Sequence, residues 1–226
     1  MTETGTREDW TDWDGDGSRS ITVPSDCELI AMLWFGLYPW STNNIPANPC
    51  DVDDDDFVTV EKTDEQTGDG QIWMGYLVNP STGSQTFTYD FTTSNPLDSG
   101  ARHLIAYFKG VNTSSPIVDS AQELADDTDV TGMSGATTGD LMIGGVSSFN
   151  SNLTSVTDNG QTQLLLQSQF NKISAGAAMK DAATGFYYSG GANQTAVAMI
   201  IAQAAAEEPP SLEAILRRRT NTLTRM

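Results

Sequence analysis

The side chains nearest to a recognisable chemical pattern are Asp12, Asp14 and Asp16, in the run Asp12-Trp13-Asp14-Gly15-Asp16-Gly17. The D-x-D-x-D-G spacing gathers three carboxylates around one tight turn. The front half of an EF-hand loop holds calcium, a hard cation that takes oxygen ligands, in this way. The pattern is incomplete, because the twelfth position of such a loop is Val23, which has no carboxylate. Either a further acid completes a calcium site, Asp9 or one of the 51–56 run, or the segment is a solvated acidic arm. Asp51, Asp53, Asp54, Asp55 and Asp56 form a second cluster. Packed carboxylates repel unless a cation or solvent screens them, so this run reads first as a hydrated loop.

The remaining chemistry-bearing residues are sparse. His103 is the single histidine and has no Ser/Asp partner set around it, so it reads as a packed strand residue rather than a general base. A glycosidase needs two positioned carboxylates, and thirty acids give no means of locating such a pair. Trp40, in a long loop, is the tryptophan placed to stack on a sugar ring, whereas Trp34 and Trp73 fall in strand-like runs and read as core. Cys27 and Cys50 have neither the number of a disulfide framework nor the spacing of a zinc site. One bridge across a long loop and two free thiols both fit. Three N-x-[ST] patterns begin at Asn112, Asn152 and Asn193, a chance outcome in a Ser/Thr-rich chain and meaningful only in a glycosylating host. No catalytic signature is present. The chain reads as a non-enzyme, with calcium the one cofactor left open.

The elements that would position these residues are short. Strand-like runs fall near 19–24, 28–37, 57–61, 71–78, 85–91, 102–111, 139–147, 161–169, 175–180 and 194–203. In 85–91, Phe87, Tyr89 and Phe91 alternate with Thr86, Thr88 and Asp90, the period of a half-buried strand. In 161–169, Leu164 and Leu166 oppose Gln163 and Gln167, although Leu165 breaks the pattern. The runs 28–37 and 71–78 are apolar on both faces, so both faces must be covered. In a two-sheet sandwich that second cover comes from a loop, an arm or another subunit. Short strands separated by turn residues predict an all-β fold, an antiparallel two-sheet β-sandwich of jelly-roll type. It spans 19–205 as one domain, after an acidic N-terminal arm over 1–18. Residues 38–56 read as a long strand-free connection and 119–138 as a second one.

Residues 206–226 differ in kind. Pro209 and Pro210 end the last strand, Ser211 suits an N-cap, and Leu212, Ile215 and Leu216 fall on one helical face. Arg217, Arg218 and Arg219 follow at the end that favours cations. This predicts a short basic amphipathic helix. It either folds back on the acidic body or docks on a neighbour, with Leu212, Ile215, Leu216, Arg217, Arg218 and Arg219 as the partner-binding set.

Charge and length bound the rest. The 226 residues carry a net charge of −19. Residues 1–70 hold 17 acids and 3 bases, residues 71–205 hold 10 and 4, and residues 206–226 hold 3 and 4. An anionic surface repels phosphate, which excludes nucleic acid as a direct partner. No apolar run approaches ~20 residues, so no membrane-spanning helix is expected, and the polar start shows no secretory leader. Asp outnumbers Glu 21 to 9 and only 4 residues are Lys. That balance suits a halophilic source, where salt screens charge strongly, and equally an ordinary acidic surface.

Read together, the segments resemble a β-sandwich module of virion proteins from tailed bacteriophages and tailed archaeal viruses. The residues that carry the resemblance run in order over about 20–205. They begin with Ser20-Ile21-Thr22-Val23-Pro24 and the apolar run Leu29 to Leu37. Then come Tyr76-Leu77-Val78-Asn79-Pro80 and Gln85-Thr86-Phe87-Thr88-Tyr89. The F-x-G-V-x-x-x-x-P element from Phe108 to Pro116 follows, then Gly139 to Val146 and the closing run Thr195 to Ala202. None of these is catalytic. The resemblance implies a multi-copy structural protein located on the virion, on the capsid surface rather than the tail. It implies a homo-oligomer, most simply a trimer, that attaches to the major capsid or another virion protein. The runner-up is a tail or spike component that acts as a carbohydrate-binding adhesion module. The 38–56 loop and the Arg-rich tail depart from the family's pattern.

Overall fold

The computed structural model describes residues 1–12, 16–36, 45–63, 70–91, 101–123, 129–149, 151–170, 173–190 and 194–205. All ten predicted runs are strands. In chain order the first half of the chain holds β1 (Thr2–Glu3), β2 (Glu8–Asp12), β3 (Asp16–Val23), β4 (Leu29–Gly36), β5 (Cys50–Val52), β6 (Asp55–Asp56), β7 (Val58–Thr63), β8 (Gln71–Val78), β9 (Gly83–Asp90) and β10 (Ala101–Lys109). The second half holds β11 (Ile117–Glu123), β12 (Asp129–Val130), β13 (Leu141–Phe149), β14 (Leu153–Ser155), β15 (Thr162–Phe170), β16 (Ile173–Asp181), β17 (Phe186–Tyr187), β18 (Ser189–Gly190) and β19 (Gln194–Ile201). A single turn of 3-10 helix, Asp158–Gly160, is the one helical element among the described residues.

The strands form an antiparallel β-sandwich, as predicted, but with three main sheets instead of two. A four-stranded outer sheet has the order β3-β9-β5-β6. A six-stranded central sheet has the order β1-β10-β4-β8-β7, with β2 beside β1 on the same edge of β10. A five-stranded third sheet, β11-β19-β13-β16-β15, comes wholly from the second half.

The doubly apolar runs explain the third layer. On β4, Ile30, Met32 and Trp34 face the outer sheet and pack with Ile21, Phe87 and Phe91. Leu29, Ala31, Leu33 and Phe35 point the other way and pack with Ile143, Ala177, Val197 and Met199 of the third sheet. The cover for the second face is therefore a sheet of the same chain, not a loop or a sister subunit. Each large side chain buried in this way contributes about 1.5–3 kcal/mol of transfer free energy. Gly144 and Gly145 of β13 permit the close stacking. A Cβ on Gly145 would stand 2.8 Å from Ile72 Cδ1 and also strike Leu33, while one on Gly144 would strike the Phe186 ring. The far face of the third sheet, with Met142, Val146, Ala198 and Ile200, is closed by Val130, Leu153, Val156, Phe186 and Tyr188. These come from the small pairs β12–β17 and β14–β18 and the turns around them.

Four other expectations change in detail. Residues 1–18 are not a detached arm, since β1, β2 and the start of β3 are all paired within sheets. The 38–56 connection contains the β5–β6 hairpin, with Asp53 and Asp54 at φ 49° and 71° as its two-residue turn. That conformation disfavours most side chains and is tolerated by Asp. The 119–138 connection contains most of β11, whose pattern is broken by a bulge between Ile117 and Asp119. Leu165 breaks the alternation of its run because a bulge between Gln163 and Leu165 turns both Leu164 and Leu165 inward.

Candidate functional site

The acidic motif spans a change of sheet. Asp12 ends β2 opposite Ala101 in the central sheet, and Asp16 begins β3 opposite Asp90 in the outer sheet. Asp14 lies outside the described residues, and among those described no group of three or more Asp, Glu, His or Cys is placed to hold a metal. The 51–56 acids occupy the hairpin at the edge of the outer sheet. Asp53 Oδ1 accepts the Thr86 N–H at 2.8 Å and Asp51 Oδ1 accepts the Asp54 N–H at 3.2 Å. Asp51 has its pKa raised, first by burial and then by the carboxylates of Asp54, Asp56 and Asp53. Trp40 and the tail set Leu212, Ile215, Leu216, Arg217, Arg218 and Arg219 lie outside the described residues. Trp34 and Trp73 are core, as predicted.

The densest group of chemistry-bearing side chains surrounds His103, on the outer-sheet side of β10. Its ring is fully buried and stacks on Trp10 of β2 at 4.6 Å with an interplanar angle of 7°. Tyr89 stands at 4.7 Å and Phe91 at 5.9 Å. Neither ring nitrogen has a hydrogen-bond partner among the described residues. Burial, followed by repulsion from Arg19 and Arg102, pushes the imidazole pKa down to about 3. The Arg19 guanidinium lies over the Trp10 ring at 4.3 Å, so the indole is held between a cation and a neutral imidazole. His103 is the packed strand residue the sequence implied. The thiols follow the same logic. Both are free and buried. Burial pushes Cys27 up to about 11 and Cys50 well above the ordinary thiol value. Held neutral, these groups act as hydrophobes rather than as nucleophiles or bases.

A second cluster forms at the pole where β4 begins and β10 ends. The Glu28 N–H donates to the Phe108 carbonyl, the Asn79 N–H donates to the Glu28 carbonyl, and the Val111 N–H donates to Glu28 Oε2, each at 2.8 Å. Asn79 and Gly110 take φ of 50° and 74°, so the Y-L-V-N-P and F-x-G-V elements are two turns tied by one glutamate. Sequence reading passed over Glu28, since a lone Glu before an apolar run carries no signal. Both ends of the described chain reach this place. A Cβ on Gly110 would lie 3.3 Å from Met1 Cα, and the Gly110 carbonyl accepts the Ala204 N–H at 2.8 Å. Asp140 secures the exit by accepting from the Gln203 N–H, the Thr137 N–H and Thr137 Oγ1, each at 2.8 Å. Burial opposes its charge, but these donors outweigh burial and hold the carboxyl below its ordinary range.

Two neighbouring residues near the N-terminus, Arg7 and Glu8, guard sheet edges. Arg7 Nη1 donates to the Gln163 and Leu164 carbonyls on edge strand β15 at 3.3 Å. Glu8 accepts the Thr22 N–H of edge strand β3 at 3.3 Å and pairs with Arg19 at 3.6 Å. Charged side chains over exposed strand edges block pairing with other chains. No family model matches the chain, and the searches of curated proteins and of solved structures gave no match.

Proposed function

We propose that the chain is a multi-copy structural protein of a tailed-virus particle, a capsid decoration protein attached through its terminal segment. The observation that supports this best is the meeting of the two ends at Gly110. Residues 206–226, next in sequence after the described residues, carry the one excess of base over acid in the chain. The rest of the molecule is a block whose apolar faces are filled by its own sheets, with an anionic surface that keeps particles dispersed. The basic segment docks on a shell protein, and a symmetric homo-oligomer, most simply a trimer, multiplies each weak contact.

The strand orders support a jelly roll for the first half. The central order β2-β10-β4-β8 and the outer order β3-β9-β5-β6 take successive strands from alternate sheets, the double Greek-key pattern of that architecture. The third sheet is then an addition that seals its second face.

The test is incorporation. Particles assembled with the full chain are compared with particles assembled with a chain lacking 209–226. Loss of the truncated protein from purified particles, with its circular dichroism unchanged, is the expected result. Undiminished incorporation defeats the anchor. A purified monomer that turns over a substrate defeats the whole reading.

A further inference from the structure

We propose that β2 forms an acid-released latch on the edge of β10, with His103 as its trigger. The inference is independent of the proposed function and rests on how β2 is held. Its backbone pairs with β10 from Asp12↔Ala101 to Glu8↔Ile105. Its largest side chain, Trp10, is clasped between His103 and Arg19. Of the strands around His103, β4 and β9 are paired on both sides, whereas β2 and β3 are edge strands with one row of ladder bonds, β2 over five paired positions and β3 over eight. β2 is therefore the wall that leaves at least cost.

An imidazolium has no place in the closed state. It needs acceptors for two N–H groups, and among the described residues both nitrogens face none. Among the described residues, the charged and titratable groups around the ring add no compensation. β3 contributes Arg19, β10 contributes Arg102, β9 contributes the tilted Tyr89 ring, and β4 contributes only Trp34. Two carboxylates of β2 are committed elsewhere. Asp9 pairs with Arg102, and Glu8 pairs with Arg19 and accepts from Tyr107 Oη. A protonated ring would be a third cation beside two guanidiniums in an aromatic cage. When β2 lifts away, the ring meets water and regains its ordinary basicity near 6.5, against about 3 when closed. Acid then favours the open form by linkage. Release bares the β10 edge over residues 101–105 and the aromatic faces beneath it.

The experiment is amide hydrogen exchange on the full chain at pH 7.5 and 4.5, corrected for intrinsic rates. Opening of the β2 and facing β10 amides should rise on the order of a hundredfold, from the two pH units that separate 4.5 from the open-state value. Amides of β4 and β13 need the whole molecule to open and should stay far better protected than those of β2 at both pH values. His103→Phe, which keeps an aromatic ring without a titrating group, should lose most of that rise. A rise that His103→Phe retains in full assigns the effect to the carboxylates of β2 and overturns the proposal, as does protection of the β2 amides equal to that of β4 and β13 at pH 4.5. Should the variant fail to fold, the one histidine still gives one imidazole NMR signal. Conversion on acidification to a second, titrating signal is expected. A single signal that titrates near 6.5 in the closed protein overturns the latch.

Discussion

At the residue scale, burial decides chemistry. Cys27 and Cys50 are expected to be silent to a thiol reagent at pH 8 in the native protein and to react as two equivalents once it is unfolded. Cys27 also sets an alkaline dependence. Its pKa is raised from 9.0 to about 11 on folding, so the unfolded chain loses the proton first. Its contribution to stability is complete below pH 9 and is lost as pH rises toward 11, which denaturant melts at pH 8 and 10.5 will show. His103 works on the acid side with the opposite slope. Its pKa falls from 6.5 to about 3 on folding, so the unfolded state binds the proton first and stability declines as pH falls from 6.5 toward 3. Gly145→Ala forces a methyl among Leu33, Ile72 and Phe35 and should cost about 1–3 kcal/mol. Gly83→Ala meets open space and should cost only the strain of its φ of 95°, about 1–2 kcal/mol. Urea midpoints of the two variants check the ranking.

At the element scale, the contact between the central and third sheets carries a polar bolt. Thr63 Oγ1 and Thr195 Oγ1 are hydrogen-bonded at 3.1 Å, the Ile72 N–H donates to Thr63 Oγ1 at 3.0 Å, and Thr195 Oγ1 donates to the Gly70 carbonyl. Thr195→Val should cost about 1–3 kcal/mol by stranding these groups, and a double-mutant cycle with Thr63→Val should show coupling. Arg7→Ala should change stability by less than ~1 kcal/mol, yet raise self-association by uncovering the β15 edge, which sedimentation velocity will register. Much of this level was legible in the residues. The inward Phe87, Tyr89 and Phe91 and outward Thr86, Thr88 and Asp90 fall as their alternation requires. The two-faced apolar character of 28–37 and 71–78 correctly demanded cover on both sides. Its source was hidden, because no local pattern tells a third sheet from a neighbouring molecule. β2 and β11 were missed for a related reason. An edge strand that buries one or two side chains, such as Trp10, has too little periodicity to stand out from a loop. Of the candidate site, the roles of His103, Trp34 and Trp73 could be read from their strands, but Glu28 and Arg7 act through backbone carbonyls and N–H groups that sequence spacing does not record.

At the scale of the whole molecule, the charge of −19 on 226 residues predicts a strong response to salt. Self-repulsion opposes the compact state and is screened within about 3 Å at 1 M ionic strength. Thermal melts in 0.05 and 2 M sodium chloride should show a clearly higher midpoint in the latter, and equal midpoints would remove surface charge as a term in stability. The meeting of both ends at Gly110 has a mechanical consequence. A tether at either end pulls on the same knot, where β1 meets β10 and Ala204 meets Gly110. Tension drawn between the tethers peels those few bonds one after another before it reaches the stacked layers. The brick hangs like a pendant from one ring, and a lattice that stretches beneath it loads the ring and leaves the stone unstrained.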